Sequence, residues 1–304
     1  MDDKEYNEKY EQLKKSKFRQ QKLVGWRPVP TLSCVTIIYL SFAVFFIIVG
    51  ILILVFTSQL KEVKIRYDTF CNESIHDNCS ITFSIEEKMT KPIMIYYQID
   101  EFSQNHRVYM DSKSSKQLNG EEVSKEDLEK SGECDNMVLN KDIGVYYLNP
   151  DDVAYPCGLM ARSYFRDRYL DWQINGKEIN VTVENIAYKS DKKKYEKIGY
   201  NEEKHWINMT DEHFMIWMRP SPFSNPRKLW GIIEEEDIEA GSMVTFTIEN
   251  NNYVTYKKYI ILSTRNVFGG KSAFLGMFYI IFGILCLIAS IIVIISFSSF
   301  HKKK

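Results

Sequence analysis

Two long apolar runs, one near each end of the chain, enclose a polar middle. No Asp, Glu, Lys or Arg occurs between Arg27 and Lys61, nor between Lys271 and the terminal run of lysines. As helices, residues 34–56 and 274–297 would extend about 34 and 36 Å, against about 30 Å of bilayer hydrocarbon. Because a charge at the bilayer centre costs about 2.5–3.5 kcal/mol, these charge-free runs predict two membrane-spanning helices.

The middle contains short segments with the alternation and the β-branched and aromatic enrichment of strands. The asparagines at 250–252 are a candidate hairpin turn between the last two segments, because Asn tolerates left-handed backbone angles. Residues 111–130 and 190–204 are expected to be exposed, with the lysines at 192–194 as a solvated charge run. We therefore expect a mainly antiparallel β fold, sandwich-like, with helical insertions. The predicted strands are residues 80–85, 93–99, 178–183, 243–249 and 256–263.

Four of the six cysteines lie in the middle, whereas Cys34 and Cys286 lie in the apolar runs, where we expect free thiols. Four cysteines allow three pairings, and we expect sequence neighbours to pair. Closing loops of about 9 and 24 residues would stabilise the fold by about 2.6 and 3.4 kcal/mol. The expected disulfides are Cys71–Cys79 and Cys134–Cys157.

The same middle holds four Asn-x-Ser/Thr sequons, and neither tail has one. Glycosylation and disulfides both belong to the lumenal or extracellular side of a membrane, so both tails are expected to be cytosolic. The first apolar run is too long for a signal-peptide core and lacks a small-residue cleavage site, which indicates an uncleaved anchor. The candidate glycosylation sites are Asn72, Asn78 (where a disulfide at Cys79 would compete), Asn180 and Asn208.

These patterns divide the chain into successive segments. We expect a cytosolic tail with an interfacial segment (1–32), a membrane helix (33–57), a disulfide-bonded ectodomain (58–271), a second membrane helix (272–298) and a short cytosolic tail (299–304). Such a protein belongs in the membranes of the secretory pathway: endoplasmic reticulum, Golgi, endosome or plasma membrane.

Charge and motifs exclude several function classes. Residues 61–271 carry 35 acidic and 28 basic side chains, and the absence of a basic face argues against nucleic-acid binding. No phosphate-binding Gly-rich loop, His-Glu-x-x-His, Cys-x-x-Cys or Gly-x-Ser-x-Gly pattern occurs. His205 and His213 lie beside Asp211, where a packing role is favoured over a metal site. We expect no catalytic residue, metal or cofactor.

Small residues recur every seven positions in both apolar runs, and a seven-residue interval keeps them on one side of a helix. Helix association in lipid depends on close packing, so the pattern predicts that each helix packs closely against another element along these residues. The alternative is that such residues are simply common in membrane helices. Neither run carries an ionisable group that could form an ion path. The candidate contact residues include Ala43, Gly50, Gly276 and Gly283, with Thr36, Thr57 and Ser290 on the same stripes.

Short motifs also extend along almost the whole chain. They are Phe18-Arg19-Gln20-Gln21 with Trp26 and Pro28, Tyr96-Tyr97-Gln98, Gln104-Asn105-His106-Arg107 with Tyr109, Gln117-Leu118-Asn119-Gly120, Pro156-Cys157-Gly158, Trp217-Met218-Arg219, Arg227-Lys228-Leu229 with Gly231, and Gly269-Gly270-Lys271 to Phe274-Leu275-Gly276. In this order the motifs resemble those of the accessory (β) subunits of phospholipid flippases, the partners of type-IV P-type ATPases. Arg162, Arg166, Ser221-Pro222 and Ser272 depart from that pattern, which leaves the identity of the partner open.

The resemblance implies a non-catalytic subunit that forms a heterodimer with a large ATPase and is needed for its exit from the endoplasmic reticulum. The ectodomain would cover the partner's lumenal loops, the small-residue stripes would pack beside its membrane helices, and residues Phe18, Gln20, Gln21 and Trp26 would contact its cytosolic face. A membrane-surface anchor is the simpler reading of that last segment. The alternatives are a subunit of a two-pass ligand-gated ion channel and a tethered ectoenzyme.

Overall fold

A computed structural model describes residues 3–22, 25, 31–71, 78–195, 197, 199–249, 256–265 and 270–301. The chain forms two compact units. The membrane unit comprises Met1–Leu52 and Phe274–Lys304, and the middle unit comprises Ile53–Ala273.

The membrane unit is helical. Helix α1 covers Asp3–Lys15, α2 covers Leu32–Ser58 and α8 covers Phe274–His301, so that α2 continues into the first residues of the middle unit. Leu32–Ser58 and Phe274–Ser296 are long and apolar enough to cross a membrane. Both predicted apolar helices are therefore present, and α2 extends two residues beyond the predicted run at each end.

The middle unit contains two four-stranded antiparallel sheets. The first has the strand order β1-β8-β3-β6 and the second β2-β7-β4-β5. The arrangement confirms the predicted mainly antiparallel, sandwich-like class. The strands are β1 (Glu62–Arg66), β2 (Asn78–Ser84), β3 (Ile93–Ile99), β4 (Arg168–Ile174), β5 (Lys177–Glu178), β6 (Arg227–Ile233), β7 (Met243–Glu249) and β8 (Lys258–Thr264).

Aromatic side chains fill much of the core of the middle unit. Trp172 of β4 stacks on Phe246 of β7 with ring centroids 4.5 Å apart, and Tyr97 of β3 stacks on Phe165 at 4.6 Å. Such rings bury large apolar areas and add a further stabilisation of about 0.5–1.5 kcal/mol per pair. Strands β3 and β8 are the inner strands of their sheet and are buried along most of their length. The core thus explains why these two strands read as nearly continuous apolar segments.

Short helices lie between the strands, as expected for the insertions. Part of the segment predicted to be exposed, 111–130, is instead anchored: Ser112, Gln117 and Leu128 are buried. The prediction that the lysines at 192–194 are solvated was also wrong at one position, because Lys192 binds Glu212 at 2.8 Å and its side chain is mostly buried. The helices are α3 (Arg107–Asp111), α4 (Lys125–Ser131), α5 (Leu159–Arg162), α6 (Lys189–Tyr195) and α7 (Glu212–Trp217), with a 3₁₀ turn at Gln117–Asn119.

Strand prediction was accurate for the most apolar segments. Ile93–Ile99 and Met243–Glu249 have the predicted bounds, and β2 and β8 lie within two residues of theirs. The predicted strand 178–183 was wrong beyond Glu178, where an isolated bridge at Thr182 follows instead. The hairpin between β7 and β8 was also wrong, because the two strands belong to different sheets. Its proposed turn, 250–252, lies outside the described residues.

Both predicted disulfides are present. The disulfide Cys71–Cys79 joins the turn that follows β1 to strand β2, and its Cα atoms are 5.5 Å apart. The Cα atoms of Cys134–Cys157 are 5.7 Å apart. Both separations fall in the usual range for disulfides, about 4.4–6.8 Å. Cys34 and Cys286 are free thiols, as predicted. The covalent framework therefore lies entirely in the middle unit.

Candidate partner-contact surfaces

The small-residue stripes bring α2 and α8 together. A Cβ atom on Gly50 would lie 2.7 Å from Ile280 Cγ1 and 2.9 Å from the Gly276 carbonyl oxygen. A Cβ atom on Gly283 would lie 2.7 Å from Ile47 Cγ1 and 3.1 Å from the Ala43 carbonyl oxygen. These separations leave no room for a larger side chain, and Ala43 is fully buried. The two helices of this chain therefore pack backbone to backbone, as small residues permit in lipid.

The immediate neighbours of the stripe residues are thus in the same chain. Contact between Ala43, Gly50, Gly276 or Gly283 and a partner subunit stays a prediction. Large apolar side chains cover the opposite sides of both helices and are exposed in the described part of the chain. Members of this outward set include Ile37, Phe45, Ile48, Leu52, Phe278, Ile281, Leu285, Ile288 and Ile292.

The segment after α1 is polar and compact. Gln20 donates its side-chain amide to the Leu13 carbonyl at 3.3 Å, and Gln21 has a left-handed φ of 53°. Phe18 is 75% exposed, so its ring is available to a membrane surface or a partner. Trp26, which was predicted to act with these residues, lies outside the described residues.

Several of the resemblance-bearing motifs contact one another inside the middle unit. The Gln117 amide donates to the Ala154 carbonyl at 3.0 Å and accepts from the Cys157 backbone N–H at 2.9 Å. Gly158 has φ +99°, and a Cβ there would lie 2.2 Å from the Ser112 carbonyl oxygen. These residues therefore build one loop cluster, in which each motif fixes the backbone of another.

The motif with Trp217 is held by the lysine of the Arg227-Lys228-Leu229 motif, whose burial the sequence did not predict. Lys228 of β6 is 5% exposed and donates to the backbone carbonyls of Ile216, Trp217 and Arg219, where α7 ends. A cation suits the carbonyl end of a helix, which carries partial negative charge. Burial, with a smaller contribution from the Arg219 charge, lowers the pKa of Lys228 to about 7. Lys228 therefore changes charge near neutral pH.

A second set of buried polar side chains forms a network between the two sheets. Lys258 of β8 binds Asp167 at 2.8 Å, and Tyr67 donates its hydroxyl to the same carboxylate at 2.9 Å. The Tyr67 hydroxyl also lies 2.8 Å from that of Tyr169. Burial, assisted by the neighbouring Tyr169 and Asp167, raises the pKa of Tyr67. The network joins the two sheets by charge and hydrogen bonds.

The described sequons differ in their surroundings. Asn180 is exposed, as is Asn78, but Cys79 inside the latter's sequon is disulfide-bonded. Asn208 is half-buried, and its side-chain oxygen accepts from the Thr210 backbone N–H at 2.9 Å and from the Thr210 hydroxyl at 2.7 Å. Glycosylation therefore stays a prediction at each site, and Asn180 is the exposed asparagine whose sequon contains no disulfide-bonded cysteine. The fourth sequon, at Asn72, lies outside the described residues.

His205 and His213 have structural partners. The His213 ring lies 2.8 Å from the Trp230 carbonyl and 3.2 Å from Asp211, and the His205 ring stacks on Tyr155 at 4.7 Å. Within the described ranges, no group of three or more His, Cys, Asp or Glu side chains could hold a metal ion. These contacts fit the packing role that was favoured from the sequence.

Comparison with known proteins identifies relatives over most of the chain. Residues 53–303 match the family described as LEM3 (ligand-effect modulator 3) family / CDC50 family. A protein named putative ALA-interacting subunit 2 from Arabidopsis thaliana is 33% identical over 90% of this chain and 85% of its own length.

Animal and fungal relatives match at similar coverage. Cell cycle control protein 50A from Bos taurus is 27% identical over 91% of this chain and 87% of its own length. A Saccharomyces cerevisiae protein named phospholipid-transporting ATPase accessory subunit LEM3 is 28% identical over 96% of this chain and 84% of its own length.

Proposed function

We propose that this chain, which belongs to the LEM3/CDC50 family, is a non-catalytic accessory subunit of a phospholipid-transporting ATPase of type IV. The observation that carries the proposal is the family match over residues 53–303, together with the name of the yeast relative. In such a complex, the partner hydrolyses ATP and moves phospholipid to the cytosolic leaflet. The accessory chain supports its folding, exit from the endoplasmic reticulum and activity, and thereby membrane asymmetry and vesicle traffic.

The alternative of an ion-channel subunit is not supported. Of the three relatives described above, one is named as an ALA-interacting subunit, one as an ATPase accessory subunit and one as cell cycle control protein 50A, and none is named as a channel. The two apolar helices pack on each other through small residues, and their spans Leu32–Ser58 and Phe274–Ser296 contain no Asp, Glu, Lys, Arg or His that could serve an ion path.

In the proposed topology both tails are cytosolic and the middle unit is lumenal or extracellular. The disulfides of the middle unit support this orientation, because such bonds persist in oxidising compartments. Exposed Asn180 would then carry a glycan. Digestion with an N-glycosidase should shift the mobility of the wild-type chain, and Asn180→Gln should remove one step of that shift. An unshifted wild-type chain from secretory membranes would contradict this orientation.

The accessory chain would contact its partner at three levels: the cytosolic segment around Phe18, the outward faces of α2 and α8, and the loop clusters of the middle unit. A subunit alters a transport cycle only if it binds the states of that cycle with unequal affinity. We therefore expect contact at one or more of these levels to change as the ATPase turns over.

Purification in mild detergent tests the proposal directly. A tagged full-length chain should co-elute with a type-IV ATPase at equal stoichiometry. Recovery of the tagged chain without an ATPase would contradict the proposal. Removing residues 1–27 tests the cytosolic contact: assembly should persist while lipid-stimulated ATP hydrolysis falls. Unchanged hydrolysis by that truncated complex would restrict the contacts to the membrane and the middle unit.

A further inference from the structure

A polar cavity of about 430 Å³ lies in the middle unit where the chain joins its membrane helices. Its lining includes Ser58, the last residue of α2, and Lys271, three positions before α8 begins. Three residues extend at most about 11 Å, and the polar layer outside the hydrocarbon is about 5–8 Å thick. The covalent connections alone therefore keep the cavity near the level of the lipid headgroups.

The charges that line the cavity are of both signs. Lys61 and Lys271 are positive, and Glu86 and Glu87 are negative. A further lining residue, Glu62, is bound by Arg227 at 2.9 Å. With that residue already paired, the remaining lining is electrically neutral but dipolar. Such a surface matches a zwitterion better than a simple anion or cation.

Two of these charges are available and the other two are weakly held. Within the described part of the chain, neither Lys271 nor Glu86 has an ion-pair or side-chain hydrogen-bond partner. Lys61 pairs with Glu87, and the two side chains are 39% and 64% exposed. An exposed ion pair contributes little, because water and ions compete for both partners. A ligand that offers a phosphate to the lysine and an ammonium to the glutamate can therefore replace this pair.

We propose that the cavity binds the headgroup of a phospholipid bearing a primary amine, with phosphatidylethanolamine as the best fit. Lys61 and Lys271 donate hydrogen bonds to the phosphate, and Glu86 and Glu87 accept them from the ammonium. A choline headgroup has no N–H to donate, and a serine headgroup adds a carboxylate that the neutral lining does not match. The volume falls within the roughly 300–1,000 Å³ typical of small-ligand pockets. This site goes beyond the proposed function, since it lies wholly on this chain and does not use the ATPase.

Lipid retention by the full-length chain tests the site. The chain is reconstituted in nanodiscs of equal parts phosphatidylethanolamine and phosphatidylcholine, and retained lipids are identified by native mass spectrometry. We expect the ethanolamine lipid to be favoured about threefold to tenfold, as for one or two charge-assisted hydrogen bonds near water. Equal retention of the two lipids would overturn the proposal.

Two variants separate the roles of the charges. Lys61→Gln with Lys271→Gln should lower retention of both lipids, because both carry the phosphate. Glu86→Gln with Glu87→Gln should abolish the ethanolamine preference while phospholipid is still retained. A preference that survives the glutamate substitutions would overturn the assignment.

A matched control removes another exposed ion pair of the same unit. Lys204 binds Glu122 at 2.6 Å with side chains 60% and 81% exposed, so Lys204→Gln with Glu122→Gln should leave the lipid ratio unchanged. A loss of ethanolamine preference equal to that of the cavity variants would overturn the proposal.

Thermal melting of each variant checks folding. Competition by millimolar soluble phosphoethanolamine would identify a soluble ligand and not a lipid. Co-elution of the ATPase is measured in a separate experiment, so the proposed accessory-subunit function and the proposed headgroup site can each be contradicted independently of the other.

Discussion

Replacing Lys228 with Met should change how the stability of the middle unit depends on pH. The native pKa of Lys228 is about 7, because the ammonium is buried, whereas an unfolded chain has a lysine pKa of about 10.4. Between these values the unfolded state binds more protons, so stability rises with pH. From pH 7 to pH 9 the gain attributable to Lys228 is about 2 kcal/mol. This contribution to the pH dependence disappears below about pH 6, where Lys228 is protonated in both the native and the unfolded state.

Melting followed by tryptophan fluorescence measures this difference, and Trp217 lies beside the substituted side chain. In a unit of this size, about 2 kcal/mol corresponds to about 4–8 °C in Tm. The wild-type Tm minus that of Lys228→Met should therefore rise by about 4–8 °C from pH 7 to pH 9.

The control is Lys257→Met. The hydrogen bond from Lys257 to Glu101 raises the pKa of this exposed lysine, so it does not titrate in the same window. Its melting profile should run parallel to that of the wild type. If the Tm difference between wild type and Lys228→Met stays constant with pH, the lowered pKa of Lys228 is contradicted. That result would mean that the three carbonyl acceptors hold the proton against the effect of burial.

Three further substitutions follow from close contacts and covalent links. Gly158→Ala should cost about 3 kcal/mol or more, because its Cβ would meet the Ser112 carbonyl at 2.2 Å; a monodisperse gel-filtration peak with an unchanged Tm would contradict this. Gly283→Val should separate the membrane helices and lower the Tm in detergent, since even a Cβ meets Ile47 at 2.7 Å; a wild-type melt would argue against the helix contact. Cys134→Ser should cost about 3.4 kcal/mol by opening its loop, which chemical denaturation in non-reducing buffer would detect; an unchanged midpoint would exclude a stabilising role.

The membrane helices, the disulfides and four strands were predictable because a single local pattern determines each of them. Strands β1, β4 and β6 were missed for a common reason: their sequences are interrupted by charges. Asp171 sits at the irregularity of β4 with a left-handed φ of 51°, and β6 begins with Arg227 and Lys228. Alternation cannot be recognised where a bulge shifts its phase or a charge finds a buried partner.

The interactions that define the candidate surfaces depend on residues far apart in sequence. Lys228 is buried where a separate segment presents three backbone carbonyls to it. Lys61 likewise forms an ion pair with Glu87, which is distant from it in the sequence. The small-residue stripes were correctly identified as close-packing surfaces. Periodicity alone, however, does not tell whether the neighbouring helix belongs to the same chain or to another one.

The pairing of β1 with β8 has a consequence for how the molecule can be rebuilt. β1 follows α2 by a few residues and β8 precedes α8, and the two strands run side by side from Glu62 opposite Ser263 to Arg66 opposite Tyr259. The polypeptide thus enters and leaves the sandwich through neighbouring strands, as in domains that tolerate being inserted into another protein. The whole sandwich can therefore be exchanged between relatives as one inserted domain, with the two junctions placed just before β1 and just after β8 and the membrane helices left unchanged.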